Sequence, residues 1–333
     1  PIQIVEQQQP ETTLSQLVEQ QGTAAKIPAF EYHDSNFALT TDVKMTPQWF
    51  EEQAKYLADN HYHAVTSEEL AAYLDGKLEL PAKSVILRFN LSAGRADDFN
   101  KVIVPTLQKY GLHGIFYVIT DTVSDTCGGG NYCWTQLQSW LQTGVISIGS
   151  HSVTHANFSE LNSQQIRFEL AESKRLLEEH LGVKVISFAY PSEAFSDLAP
   201  QILEELGYDH AFGGSTRGGD LSVHVNDDLR FNLPSLLPYS TENVYPEISA
   251  RGDCKTFTEL ISTNTSPSKT ATIITNLTQL IEEQGPAEKI PVFEYHHSKF
   301  VLNPDVKMTP QWFDDEMKYL ADNGYHAVTA DEL

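Results

Sequence analysis

Residues 13–70 return without a gap as residues 276–333, an offset of 263 positions. Ile27-Pro28-Ala29-Phe30-Glu31-Tyr32-His33 comes back as Ile290-Pro291-Val292-Phe293-Glu294-Tyr295-His296, and the run from Asp42 to Phe50 reappears unchanged as Asp305 to Phe313. About two-thirds of the aligned positions are identical, whereas residues 1–12 and 264–275 do not match. Solenoid units repeat every ~20–50 residues. A period of 263 is the size of a whole domain. The chain therefore reads as an N-terminal tail (1–12), one complete domain (13–250), a Ser/Thr-rich linker around Pro267 (251–275) and a partial second copy (276–333).

Inside the complete copy, short apolar runs alternate with amphipathic stretches. Val85 to Phe89, His113 to Ile119, Val145 to Gly149 and Val185 to Tyr190 are bounded by polar residues or glycine, the pattern of buried parallel strands. A helix is expected from Ser163, as N-cap, to Leu181, stopped by Gly182 and presenting Ile166, Leu170 and Leu177 on one face. Thr46 and Pro47 read as the N-cap and first position of another. Such alternation predicts a parallel sheet or barrel whose working face lies at the strand C-termini.

A formal charge of −23 repels phosphate backbones and argues against nucleic-acid binding. It suits a secreted protein, a cation-rich surface or a cationic sugar polymer. No apolar run approaches the ~18 residues that span a bilayer. Nothing near Pro1 has a signal-peptide layout, so a processed chain or a fragment is expected. Cys127 and Cys133 flank a glycine-rich loop flexible enough to bring their sulfurs together, which predicts a disulfide and an oxidising compartment.

The stretch Ile146-Ser147-Ile148-Gly149-Ser150-His151-Ser152-Val153-Thr154-His155 runs from a strand into an H-S-x-T-H motif. It follows Trp134-Thr135-Gln136-Leu137 and precedes Phe188-Ala189-Tyr190-Pro191 and Leu206-Gly207-Tyr208. These motifs, in this order, resemble the polysaccharide deacetylase family: the NodB-homology domain, carbohydrate esterase family 4-like. The segments Ile27 to His33 and Met45 to Phe50 are similar to the N-terminal extension of its secreted members that act on poly-N-acetylglucosamine. The resemblance spans roughly residues 26–240 and implies a distorted (β/α)7 barrel. It also implies a divalent ion on two His and one Asp, which polarises an acetamide carbonyl and its bound water, with a neighbouring Asp as base.

This chain departs from that pattern where the chemistry is done. The family's T-F-D-D-G corresponds to Arg88-Phe89-Asn90-Leu91-Ser92. Asn90 stands in place of the base, and an amide cannot take a proton from water. Leu91 stands in place of the carboxylate ligand. His151 and His155 remain, as a vestigial pair or a weak zinc site, and a shifted loop could return Asp97 or Asp98 as a ligand. Ser192-Glu193 replaces the usual aromatic-glycine after the proline, and no leucine-x-x-histidine motif supplies a general acid near Leu233 to Tyr239.

Tyr190, Pro191 and Trp134 are expected to line the old groove. No cofactor is expected beyond weak Zn or another divalent ion at His151 and His155. The residues point to a non-catalytic extracellular module whose partners are other copies of itself and an extracellular polysaccharide. The alternatives are a deacetylase with a relocated ligand and a carbohydrate-binding pseudoenzyme. Ile290, Val292, Phe293, Tyr295, Trp312 and Phe313 of the second copy are the expected assembly contacts.

Overall fold

In a computed structural model of the chain, the described residues are 13–33, 47–91, 96–128, 131–214 and 222–236, with Ile261 and Ser266–Pro267. The chain divides into two compact units, 1–268 and 269–333, and every described residue belongs to the first. Thr46, Cys254 and the whole of 276–333, with its expected assembly residues, lie outside the described residues.

Helix α1 (Leu14–Gln21) is opened by a capping box between Thr13 and Gln16 and leads into the long strand β1 (Ala24–His33). Next come α2 (Pro47–Asp59), the short β2 (His63–Ala64), α3 (Ser67–Leu74) and β3 (Ser84–Leu91). The chain continues through α4 (Ala96–Asp98), a π turn over Phe99–Ile103, α5 (Val104–Tyr110), β4 (Gly114–Val118) and a small ribbon of β5 (Val123–Ser124) and β6 (Tyr132–Cys133). It then alternates α6 (Trp134–Leu141), β7 (Ile146–Ser150), α7 (Ser163–Leu181), β8 (Ser187–Ala189), α8 (Ala199–Glu205) and β9 (His210–Phe212), before β10 (Ser222–His224) and β11 (Ser266–Pro267).

Strands β1, β3, β4, β7, β8 and β9 pair in parallel, in that order, into one curled sheet. The segment from Leu233 to Leu236 bridges its two ends, in parallel, through Phe212↔Leu233 and Phe30↔Leu236. The bridge is carried by Leu233 N–H to Ala211 O (2.8 Å) and Glu31 N–H to Leu236 O (2.8 Å). Six strands and this connecting stave make the expected (β/α)7 architecture.

Alternation along β3 divides the core in two. Val85, Leu87, Phe89 and Leu91 face the helices and join the aromatic layer of Phe99, Phe116, Tyr132 and Trp140. Ile86 faces the lumen with Ile27, Ile115, Tyr117 and Phe212, and Arg88 lies over the last two rings at 5.5 and 4.9 Å. Helix α7 spans the expected residues and ends at Gly182, whose φ of +69° is the left-handed cap that glycine adopts without a Cβ clash. Its N-cap, however, is Asn162 rather than Ser163. One carboxamide oxygen accepts from both Gln164 N–H and Gln165 N–H, which a hydroxyl at 163 is placed too late to do.

The linker expectation also needs correction. Ile261 is wholly buried in the core, and Ser266–Pro267 pairs antiparallel with Ala24 and Lys26 of β1. Part of 251–275 is thus built into the domain.

Candidate functional site

The mouth of the barrel is formed where β3 ends at Asn90–Leu91 and β7 runs into His151. At that end Glu31 and Arg88 are register partners on adjacent strands. Both are almost completely buried, and Arg88 Nη2 lies 3.1 Å from Glu31 Oε1. Asn90 Nδ2 donates to the same oxygen at 2.8 Å, while Ser235 Oγ donates to Glu31 Oε2 at 2.8 Å and accepts from Arg88 Nη1 at 3.2 Å. Arg88 Nη2 also reaches Asn90 Oδ1 at 3.4 Å. A buried carboxylate and guanidinium survive only when paired and hydrogen-bonded. Asn90 and Ser235 serve both Glu31 oxygens and both Arg88 Nη atoms, while Arg88 Nε has no partner among the described residues. Asn90 thus gives its amide to the buried ion pair, and Leu91 points into the helical layer. Glu31, Arg88 and Ser235 escaped the sequence reading. The legible signal for Glu31 and Arg88 was a charge within a largely apolar run of each strand, and Ser235 had none.

The H-S-x-T-H loop is held from α7. Glu169 accepts from Val153 N–H (2.8 Å), Thr154 N–H (2.9 Å) and Thr154 Oγ1 (2.7 Å), and Ser150 bonds Ser173 at 2.7 Å. The clamped loop carries left-handed backbone at Ser152 (φ 70°) and His155 (φ 62°). The next mouth loop repeats the feature at Ser192 and Glu193, both at φ 54°. Each non-glycine residue held there costs about 1–2 kcal/mol. Four of the six such residues among the described ones sit in these two loops.

His151 is buried, with Nδ1 2.8 Å from Ala189 O, so its proton resides on Nδ1; His155 is exposed, and the two ring centroids lie 4.9 Å apart. An imidazole anchored in this way is oriented as metal-bound histidines are, but the donor set does not fit the family's ion. Asn90 and Leu91 supply no carboxylate. Among the described residues no three His, Cys, Asp or Glu side chains are grouped to hold a metal. Asp97 is exposed and ion-paired with Lys101 at 2.8 Å, and neither it nor Asp98 completes such a group there.

The expected groove residues are placed differently. Tyr190 is fully buried among Phe158, Phe188 and Phe195, which pushes its phenol pKa well up, and its Oη has no hydrogen-bond partner among the described residues. Pro191 is buried. Trp134 stacks on His180, centroids 4.1 Å apart and planes 5° apart, and so packs α6 against α7 instead of lining a groove. At the mouth, Glu193 folds over Gly214, where a Cβ would come within 2.5 Å of its carboxylate carbon, and Glu193 Oε1 approaches Ser235 Oγ at 3.2 Å. Cys127 and Cys133 are disulfide-bonded, with Cα atoms 5.1 Å apart.

The family model described as "Polysaccharide deacetylase" matches residues 77–211. YxkH of Bacillus subtilis (strain 168), which bears a polysaccharide deacetylase name, is 26% identical over 186 residues. That match covers 55% of this chain and 63% of YxkH, less than two-thirds of the relative. The Streptococcus pyogenes deacetylase PplD, solved in complex with acetate, is 26% identical and superposes with a TM-score of 0.54, covering 69% of this chain and 98% of that one. The fold is shared too with the polysaccharide deacetylase BC0361 of Bacillus cereus, at 22% identity and a TM-score of 0.55 over 70% of each chain. The motif order, the curled parallel sheet and these matches agree: this chain carries a polysaccharide deacetylase domain of the NodB type.

Proposed function

We propose that the chain is a non-catalytic extracellular module built on a degenerate deacetylase barrel, assembled in tandem or head to tail with other copies of itself. Asn90 carries the reading. At the position that the resemblance assigns to the base, its amide is bonded to Glu31 at 2.8 Å and cannot activate water. Leu91 turns away from the mouth, and two imidazoles alone would bind a divalent ion weakly. The Cys127–Cys133 bond supports an oxidising compartment. No helix among the described residues is long and apolar enough to cross a membrane.

Assembly is supported by the repeat. The side chains with which the first copy enters the core, Ile27, Phe30, Tyr32, Phe50, Leu57 and Val65, recur as Ile290, Phe293, Tyr295, Phe313, Leu320 and Val328. Burying each is worth about 1.5–3 kcal/mol. The second copy thus carries the same apolar set that the first buries, and we assign it a docking role between copies.

The test is acetate release from N-acetylglucosamine oligomers and from acetylated xylan with added Zn²⁺, Co²⁺ or Ni²⁺. None is expected. Metal-dependent release that disappears in His151→Ala would overturn the reading.

A further inference from the structure

We propose that the flank of the H-S-x-T-H loop, not the old groove, is a binding site for a neutral pyranose unit of a polysaccharide. The groove aromatics are unavailable, since Tyr190 and Trp134 are spent on packing. The aromatic side chain left open is Phe168 on α7, 57% exposed and the most exposed large apolar side chain among the described residues. It borders a depression of about 510 Å³ that begins at Thr154 and Ala156, next to His155, and continues past Leu161 and Gln164.

The chemistry of the lining selects the ligand. It contains no lysine or arginine, and with a chain charge of −23 it repels anions. Its single carboxylate, Glu169, already accepts three hydrogen bonds from the loop. Asn162 and Gln165 give their carboxamide oxygens to the helix cap and keep their N–H groups as donors. What remains for a ligand is a flat apolar ring, the exposed carboxamide of Gln164, the amide N–H donors of Asn162 and Gln165, and the acceptor side of the Thr154 hydroxyl. A sugar ring matches that set: its C–H face stacks on the phenyl ring, while its hydroxyl or acetamido groups bond the carboxamide, which both donates and accepts. A cationic ligand finds no uncommitted carboxylate, and one phenyl ring is too small an apolar surface for a protein interface.

The site is independent of hydrolysis. Acetate release would leave it standing, and an absence of binding here would leave the non-catalytic reading standing. The test is calorimetric titration of the full chain with N-acetylglucosamine hexamer and, separately, with xylohexaose, in wild type, Phe168→Ala, Gln164→Ala and His155→Ala. Binding of at least one glycan is expected, weakened about tenfold by Phe168→Ala and severalfold by Gln164→Ala, with His155→Ala within about twofold. Phe168 is largely exposed, so its variant should keep the wild-type melting profile, which is checked alongside. No binding of either glycan at about 10 mM, an unchanged affinity in Phe168→Ala, or a loss confined to His155→Ala would each overturn the proposal.

Discussion

Replacing Asn90 with aspartate would restore the residue type that the family resemblance places there, and the geometry predicts that the protein resists it. The new carboxylate would meet Glu31 Oε1 where Asn90 Nδ2 now donates at 2.8 Å. Two ionised oxygens about 3 Å apart repel by roughly 5 kcal/mol at an effective dielectric of ~20. Arg88, at 3.4 Å and already paired with Glu31, offsets most of this, but burying a second charge adds a desolvation cost of several kcal/mol. A cheaper outcome is that the introduced carboxyl keeps a proton and donates it to Glu31. Holding a proton at pH 7 on a group whose unfolded pKa is about 3.9 costs roughly 4 kcal/mol. The folded pKa is then raised, so the penalty is small near pH 4 and grows as pH rises above the unfolded value. Asn90→Asp should therefore lose about 3–4 kcal/mol at pH 7 and about 1 kcal/mol or less near pH 4.5.

Glu31→Gln alone strands the Arg88 guanidinium and should cost about 3–5 kcal/mol. The double variant, Glu31→Gln with Asn90→Asp, rebuilds the network in mirror image. A carboxylate at 90 then pairs with Arg88, and an amide at 31 donates to it, so stability should return to within about 1–2 kcal/mol of wild type. Urea denaturation of all four proteins at pH 7 and pH 4.5 gives the coupling energy. If Asn90→Asp is neutral at pH 7, or if the double variant is no better than the sum of the singles, the amide at 90 is not what Glu31 requires.

Two further outcomes are expected. Burial pushes His113 down to about 4 from 6.5, against the opposing pull of Glu69. Its folded value lies below its unfolded one, so its contribution is complete above about pH 6.5 and is lost, by roughly 3 kcal/mol, as pH falls to 4. Urea midpoints should therefore fall less between pH 7 and 4.5 in His113→Asn than in wild type, and equal falls would refute the assignment. Deleting residues 276–333 should abolish concentration-dependent self-association in sedimentation and leave the Cys127–Cys133 domain folded; unchanged association would remove the docking role.

What sequence could and could not show follows from how local each cause is. The strands were legible because β3, β4 and β7 are buried on both faces and read as apolar runs, and α7 because its apolar spacing and Gly182 are local. Ile261 was not legible: one apolar residue in a Ser/Thr-rich stretch is invisible to composition, and only the tertiary packing buries it. Trp134 was read as a groove residue because its partner, His180, lies 46 positions away on another helix. That Asn90 and Leu91 stand where the resemblance expects aspartates was plain from residue type, but not which partners they meet. That depended on β1 and β3 being aligned so that Glu31 meets Arg88.

That alignment makes the substitutions at the mouth one dependent set. Arg88 needs Glu31, Glu31 needs the donors of Asn90 and Ser235, and Ser235 in turn abuts Glu193, whose side chain covers Gly214. A carboxylate at 90 conflicts with Glu31. A carboxylate at 91 would enter the helical layer beside Phe89, where an unpaired charge is strongly unfavourable. Relieving Glu31 alone exposes Arg88 as an uncompensated buried cation. Every single step back toward a base and a ligand therefore passes through a protein several kcal/mol less stable, which is a large share of the ~5–15 kcal/mol that holds a typical domain together. On the proposed non-catalytic reading the mouth serves as scaffold, and Glu31, recurring as Glu294 in the second copy, belongs to the repeated segment itself.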